Sequence, residues 1–282
     1  MKVSVSVVTY QQASTVRQAV ESVLEQQVDF PIEIIAGDDA SADGTREALQ
    51  QLQFEAPETV KTILRHSNAE DFGLTNVLAT VDAAQGEYIA FLDGDDYWTD
   101  RQKLAKQVAF LDAHPDCVIC AHRVQHLRKD GVRILSPNAP HGEGVYDIGA
   151  LIVRNFAPKI STVIRRSALA DLPEWYRLTS YSSADWLLNI LAGRHGRVGF
   201  IDQVMAVHRI HQASVSANFG SLHMISDKLR AITALRSCLP QAARDLTRLE
   251  RKLLWKRRIV RWSPRAFSVL RRLNGMARSH PG

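Results

Sequence analysis

The chain has 282 residues, 45% of them apolar and 23% charged; this allows a substantial buried core and excludes a mini-protein, a fibrous repeat or wholesale disorder. A formal net charge of +5 hides an asymmetry, because residues 221–282 carry 15 Lys and Arg against 3 Asp and Glu while residues 1–220 carry 20 against 27. An acidic body with a basic tail predicts an anionic contact for the tail: a membrane surface, a nucleic acid or an acidic partner. Three cysteines (Cys117, Cys120, Cys238) are too few for a disulfide framework, and Met1 and Lys2 lead straight into a strand-like run, so the expectation is a cytoplasmic chain. No run reaches the roughly 18 apolar residues of a membrane-spanning helix.

Val3–Tyr10 is a β-branched run ending in polar residues, and Ser14 precedes Val16, Ala19, Val20, Val23 and Leu24 at helical spacing: a strand, then an amphipathic helix. Ile32–Ala36 predicts a second strand, stopping at Gly37-Asp38-Asp39-Ala40-Ser41-Ala42-Asp43-Gly44-Thr45 before a helix through Leu49 and Leu52. Val60–Leu64 reads as a strand, Leu74–Ala84 as a helix, and Tyr88–Leu92 as a strand that runs into Asp93-Gly94-Asp95-Asp96-Tyr97-Trp98. Leu104, Val108 and Leu111 mark a further helix face and Cys117–Ala121 a further short strand. Such alternation predicts βα units around a largely parallel sheet, with Tyr10, Asp39 and Asp93–Asp96 on the rim where strands end and ligands bind. Residues 126–220 are less regular, with turn-like Ser136–Pro140 and His141–Gly144 and one clear helix near Ala184–Ala192. Past residue 221 the pattern is helical, with Leu222, Ile225, Leu229, Ile232 and Leu235 on one face and Trp255, Ile259, Trp262, Ala266 and Leu270 on another.

Two acidic segments carry the chemistry. Carboxylates as close as Asp93, Asp95 and Asp96 repel one another unless a cation or a set of donors compensates, and Mg²⁺ or Mn²⁺ prefers such oxygen ligands. An acidic turn followed by a helix cap accounts for the same residues without a metal. In the second segment, Asp43 or Thr45 can cap the next helix and Gly44 can take a positive φ, which leaves Asp38 and Asp39 over. Adjacent carboxylates at a sheet edge can accept from a nucleobase N–H or ribose hydroxyls, while Tyr10 offers a flat face for stacking.

Val5-Ser6-Val7-Val8-Thr9-Tyr10, Ile34-Ile35-Ala36-Gly37-Asp38-Asp39-Ala40-Ser41-Ala42-Asp43-Gly44-Thr45 and Gly86-Glu87-Tyr88-Ile89-Ala90-Phe91-Leu92-Asp93-Gly94-Asp95-Asp96, in this order and spacing, resemble glycosyltransferase family 2. The resemblance covers about residues 3–215 and is clearest over 3–122. It implies a GT-A fold, a Rossmann-like α/β architecture with a mostly parallel central sheet flanked by helices, that binds a nucleotide-sugar with Mn²⁺ or Mg²⁺. On the matching positions it implies that Thr9 and Tyr10 lie at the nucleotide, with Tyr10 on the base. Asp39 would hydrogen-bond that base, Asp93 and Gly94 would lie by the ribose, and Asp95, the second acid of a DXD motif, would ligate the metal. Ser183-Ala184-Asp185-Trp186 resembles the segment that bears the general base; Ala184 stands where many members have an acid, so Asp185 would serve alone. Val207-His208-Arg209-Ile210-His211 resembles a Tyr-Arg-x-His segment with His208 in the tyrosine place, so Arg209 would meet the diphosphate and His211 the metal.

The function implied is inverting, metal-dependent transfer of a sugar from a nucleoside-diphosphate sugar, a UDP-sugar foremost, to a glycan or lipid-linked acceptor in bacterial polysaccharide or cell-envelope synthesis. Residues 1–220 would form the GT-A domain, 1–125 its nucleotide-sugar half and 126–220 its acceptor half, with 221–282 a basic helical extension. Arg251, Lys252 and Lys256–Arg258 interleaved with Trp255, Ile259 and Trp262 suit a helix lying on anionic lipid at the inner face of the cell membrane, or one packed on the body; Pro264 would break it. Two other readings share these residues: a metal-dependent nucleotidyltransferase that releases pyrophosphate, and a basic-tailed binding protein with a degenerate site. An acidic body without a nucleic-acid motif argues against nucleic acid. Cys117-x-x-Cys120 has no second pair and reads as buried strand, and no Gly-x-Gly-x-x-Gly, P-loop or His-Glu-x-x-His is present.

Overall fold

The structure, a computed structural model, describes residues 1–140, 142–210 and 221–262. In chain order the elements are β1 (Val3–Thr9), α1 (Val16–Leu24), β2 (Ile32–Asp38), α2 (Thr45–Glu55), β3 (Val60–Leu64), α3 (Leu74–Ala83), β4 (Tyr88–Asp93), β5 (Tyr97–Trp98), α4 (Lys103–Ala113) and β6 (Cys117–Arg128). There follow β7 (Arg133–Leu135), β8 (Gly144–Tyr146), α5 (Ile148–Val153), β9 (Val163–Arg165), α6 (Glu174–Leu178), α7 (Ala184–Gly193), β10 (Arg197–Ile210), α8 (Ser221–Cys238) and α9 (Ala243–Trp262). Among the described residues one sheet runs in the order β3-β2-β1-β4-β9-β6-β10-β5, with β7 on β6 and β8 on β10. Strands β3, β2, β1 and β4 are parallel, as are β6 and β10, and the short β9 lies antiparallel between β4 and β6. This is the expected α/β architecture.

The period of two along each central strand sorts side chains into two layers. Val3, Val5 and Val7 of β1, Ile34 and Ala36 of β2, and Tyr88, Ala90 and Leu92 of β4 pack with Val16, Ala19, Val20 and Val23 of α1, Leu49 and Leu52 of α2, and Leu104, Val108 and Leu111 of α4. Val8, Ile35, Ile89 and Phe91 face the other way, onto α3, α5 and α7. The polar members of that second face are satisfied locally: Ser4 Oγ donates to Glu33 (2.7 Å), and Ser6 Oγ and Thr80 Oγ1 share a hydrogen bond (2.6 Å). Gly37 is required by close approach, since a Cβ there would lie 2.2 Å from Asn76 Oδ1 of α3.

Helices α8 and α9 share this second core. Ile225, Ala231, Ile232, Leu235, Leu246, Leu249, Leu253 and Val260 are buried in the cluster that holds α3 and α7. The expected α8 face is thus found, except that Leu222 is exposed. For α9 the face differs from the expected one, because the buried stripe runs through Leu246, Leu249, Leu253 and Val260, and Trp255 is 59% exposed. A 3.6-residue period counted from Leu246 leaves Trp255 on the opposite side of the helix. The side chain of Trp262, and Pro264, Ala266 and Leu270, lie outside the described residues. Strands also run further than their apolar cores suggest: β6 continues to Arg128, and β10 pairs with it over His208–Ile210 against His126–Arg128. Pairing between two long strands, more than side-chain alternation, holds this polar stretch in the sheet.

Leu246→Ala should cost about 2–5 kcal/mol of unfolding free energy, the usual range for a fully buried leucine, measured by urea denaturation of the whole chain. A loss under about 0.5 kcal/mol, typical of surface sites, would mean that α9 is not part of the core.

Candidate active site

Strand register brings the acidic segments together. Thr9 pairs with Asp38, and Val8 with Asp93, so β1, β2 and β4 end side by side and their following loops share one rim. Thr9 itself is buried; its hydroxyl donates to Gly37 O (3.0 Å) and braces β2. Tyr10, the next residue, is 49% exposed. Gln11 and Ala40, which follow Tyr10 and Asp39, sit in the left-handed region (φ 55° and 62°), a conformation that costs a non-glycine residue about 1–2 kcal/mol. Asp43 ties the two loops together, taking Thr45 N–H at 3.1 Å and Ala13 N–H at 3.0 Å, while Gly44 adopts φ +100°. The positive φ of Gly44 is as expected, but Gly44 itself is the N-cap of α2, which has no side-chain cap hydrogen bond; Asp43 serves instead to tie together the loops on which Tyr10 and Asp39 stand.

Each buried carboxylate of the rim faces a cation. Asp38 accepts from Ser41 N–H (3.0 Å) and lies 3.5 Å from Arg46. Asp39 Oδ1 takes both Arg65 (2.9 Å) and Ala69 N–H (3.3 Å), leaving Oδ2 without a partner among the described residues; burial pushes this carboxyl up. Gly94 N–H donates to Val8 O (2.9 Å), and a Cβ on Gly94 would meet Thr9 Cγ2 and Gln12 Oε1 at 2.6 Å, so a larger residue would displace these side chains. Asp93 pairs with Lys159 at 2.5 Å; burial raises the Asp93 carboxyl and Lys159 opposes it. Burial alone would lower Lys159, but Asp93, with Asp185 and Asp95 further off, holds its ammonium above the ordinary range.

Asp96 is fully buried and accepts from His208 Nδ1–H (2.9 Å) and Arg209 N–H (2.8 Å), which fastens β10 to the end of β4. Burial pushes Asp96 up to about 6, and the carboxylates around His208 outweigh its own burial and raise it to about 9. The Arg209 guanidinium donates to Asp95 O and to Gln18 Oε1 and stacks 4.6 Å from the centre of the Tyr97 ring. Asp95 is half-buried beside it. His211 lies outside the described residues.

Asp185 falls in the first turn of α7, whose N-cap is Ser183, and its Oδ1 accepts from Trp186 N–H (2.7 Å). It reaches the rest of the site through Lys159, which feels both Asp93 and Asp185. The turn before α7 is fixed from two sides: Tyr176 Oη donates to Ala184 O (3.1 Å), and Asp227 of α8 accepts from Ser182 N–H (2.6 Å) and Oγ–H (2.7 Å). Lys159, Asp227 and Lys228 were not among the expected site residues. A lysine set between Ala157-Pro158 and Ile160 is the one signal for Lys159; Asp227 and Lys228 carry none, because only tertiary packing returns α8 to this loop.

No group of three His, Cys, Asp or Glu able to hold a metal occurs among the described residues. The oxygen donors Asp93 and Asp95 still suit Mg²⁺ or Mn²⁺, which proteins commonly bind through one or two carboxylates with substrate phosphates and water in the other positions. Cys117 and Cys120 are buried and burial pushes both thiols up, so the pair has neither the exposure nor the thiolate character of a redox site.

A model of glycosyl transferase family 2 matches residues 4–172, the stretch that contains both acidic loops and Lys159. The chain belongs to this family. An uncharacterized protein of Mycobacterium tuberculosis is 33% identical over 210 residues, 74% of this chain; the chain spans 58% of that relative's length. A UDP-Glc:alpha-D-GlcNAc-diphosphoundecaprenol beta-1,3-glucosyltransferase of Escherichia coli, WfaP, is 28% identical over 232 residues, covering 82% of this chain and 86% of that protein. Among solved structures, residues 1–349 of Staphylococcus aureus TarS in complex with UDP-GlcNAc share the fold, with a TM-score of 0.73 at 19% identity over 95% of this chain and 76% of that one.

Proton NMR of His208 in metal-free protein should give a titration midpoint near 9. Because the folded value lies above the ordinary 6.5, the stability that His208 contributes is lost as pH rises through about 9, while Asp96, raised to about 6, takes up a proton below that pH, so the charged pair is confined to the window between about 6 and 9. A midpoint near 6.5 would show that the pair is not formed.

Proposed function

We propose that the chain transfers a sugar, with inversion, from a uridine-diphosphate sugar to a hydroxyl of a glycan or lipid-linked acceptor in bacterial polysaccharide or cell-envelope synthesis. One observation carries this reading: an exposed aromatic face (Tyr10), a buried carboxylate with one uncommitted oxygen (Asp39) and an acidic strand end (Asp93, Asp95) share one sheet edge, and Lys159, paired with Asp93 there, also feels the charge of Asp185 from a separate helix.

Tyr10 stacks on the base, Asp39 Oδ2 accepts from its N–H, and Asp93 and Gly94 receive the ribose beside the Thr9-braced strand end. Arg209, fixed by Asp95 O and Tyr97, presents its guanidinium toward the diphosphate. Asp185 accepts the acceptor hydroxyl's proton as that oxygen bonds to the anomeric carbon; the bond from this carbon to the diphosphate oxygen breaks, and its electron pair leaves with the nucleoside diphosphate. Asp95, with His211, would hold Mn²⁺ or Mg²⁺, which supplies charge neutralisation for the leaving diphosphate. WfaP, by its name, uses UDP-Glc and an undecaprenyl diphosphate acceptor, and TarS binds UDP-GlcNAc; both support a uridine donor.

The outer face of α9 supports a membrane-surface contact for residues 221–282. Leu254 (39%) and Trp255 (59%) are exposed among Arg244, Arg248, Arg251, Lys252 and Arg258, a pattern suited to anionic lipid headgroups on the cytoplasmic face of the membrane. No helix among the described residues is long and apolar enough to cross a membrane.

The decisive experiment is thermal melting with UDP, GDP, dTDP and CDP, each with and without Mn²⁺. UDP at 100 times its dissociation constant should add about 2.7 kcal/mol, lost in Asp95→Ala; Asp185→Asn should keep that stabilisation and lose at least about 100-fold in transfer, the scale of general-base catalysis. Release of pyrophosphate in place of nucleoside diphosphate would establish nucleotidyl transfer, and no response to any nucleotide would establish a non-catalytic role. In sedimentation with phosphatidylglycerol-containing vesicles, Trp255→Ala should weaken binding several-fold; equal sedimentation would remove the helix from any lipid contact.

A further inference from the structure

Helix α8 sends two neighbouring side chains to the loop that presents Asp185, and they are employed differently. Asp227 is buried and saturated, holding Ser182 through its backbone N–H and hydroxyl and pairing with Arg230 at 2.5 Å. Lys228 is half-buried with its ammonium 4.9 Å from the centre of the Trp186 ring, and it makes no ion pair or hydrogen bond with any described residue. The charges felt at it are those of Asp185, Lys252 of α9 and Asp227, none of which forms an ion pair with it. Burial pulls this ammonium below its ordinary range, as expected of a cation that has left water without gaining a carboxylate. A second unused polar group stands close by in the sequence of the loop: Ser183 Oγ is buried and without a hydrogen-bond partner among the described residues.

We propose that Lys228 binds a phosphate group carried by the acceptor, placed next to the hydroxyl that Asp185 deprotonates. The assignment rests on the reading of Asp185 as the general base. A partly desolvated ammonium gains most from a charge-assisted contact with a multiply charged oxyanion, and Trp186 holds it ready for one. Among the described residues two lysines feel the charge of Asp185: Lys159, already paired with Asp93 on the donor side, and Lys228, which has no carboxylate partner and is available to the acceptor. Lys252 of α9, an exposed residue, is close enough for its charge to be felt at Lys228. Sugar-linked lipid diphosphates and polyol-phosphate polymers present such phosphate groups.

The test uses the full chain saturated with UDP and Mg²⁺ and measures binding of three probes by calorimetry: a short-chain alkyl N-acetylglucosaminyl diphosphate, a ribitol phosphate oligomer, and the uncharged alkyl N-acetylglucosaminide. Wild type should bind at least one phosphate probe about tenfold or more tightly than the neutral one, the scale of one hydrogen bond to a charged group, and which phosphate probe wins identifies the source. Lys228→Gln should erase that preference and Lys228→Arg should restore it, with UDP affinity unchanged in both. A preference that survives in Lys228→Gln, or is absent from wild type that binds UDP normally, overturns the assignment of Lys228. Failure of wild type to bind UDP overturns instead the donor reading beneath it.

Discussion

Charge balance at the carboxyl edge of the sheet is the constraint on which the site depends. Parallel strands β1, β2 and β4 end at one level, which concentrates Asp38, Asp39, Asp93, Asp95 and Asp96 in a small volume. Left alone, buried carboxylates at this density would be protonated or would force the loops apart. Arg46, Arg65, Lys159 and His208 answer four of them, each from a different element. These pairs are therefore cross-links between loops as much as electrostatic partners: Lys159 joins the end of β4 to the segment before β9, and His208 joins it to β10. Removing one partner leaves a charge without compensation at the rim, a larger penalty than the net worth of the pair.

The same logic divides committed from available groups. Asp43, Thr9 and Asp38 spend their polar atoms on the loops themselves, and Asp96 spends both oxygens on β10. Tyr10, which is exposed, and the second oxygen of Asp39 are not spent in this way. Left-handed residues at Gln11 and Ala40 turn the chain directly after Tyr10, which is exposed, and Asp39, which is buried.

Helices α8 and α9 connect the loop that carries Asp185 to the outer surface. Their apolar stripes complete the core around α3 and α7, while Asp227 pins the turn that leads into Asp185. The contrast in charge between residues 221–282 and the rest of the chain therefore marks a change in what the surface offers, on helices that share the body's apolar core.

Much of the site was legible in the sequence. The first four strands, the helices between them and the two acidic loops follow from β-branched runs, helical spacing and Asp/Gly clusters, because in a βα unit each element is specified by its own residues. The glycosyl transferase family 2 resemblance on Val5–Tyr10, Ile34–Thr45 and Gly86–Asp96 is the family that residues 4–172 match. What lay beyond the sequence involves partners distant along the chain. The polar halves of β6 and β10 are strands because they pair with each other; Trp255 lies outside because Leu246, Leu249 and Leu253 took the inner face of α9; and Lys159, His208, Asp227 and Lys228 reach the acidic rim and the Asp185 loop from segments more than 40 residues away. Sequence by itself determined the local elements and the acids they deliver. Only the tertiary structure decided which cation meets which carboxylate, because that choice depends on distances closed by packing and on the cost of leaving a buried charge unpaired.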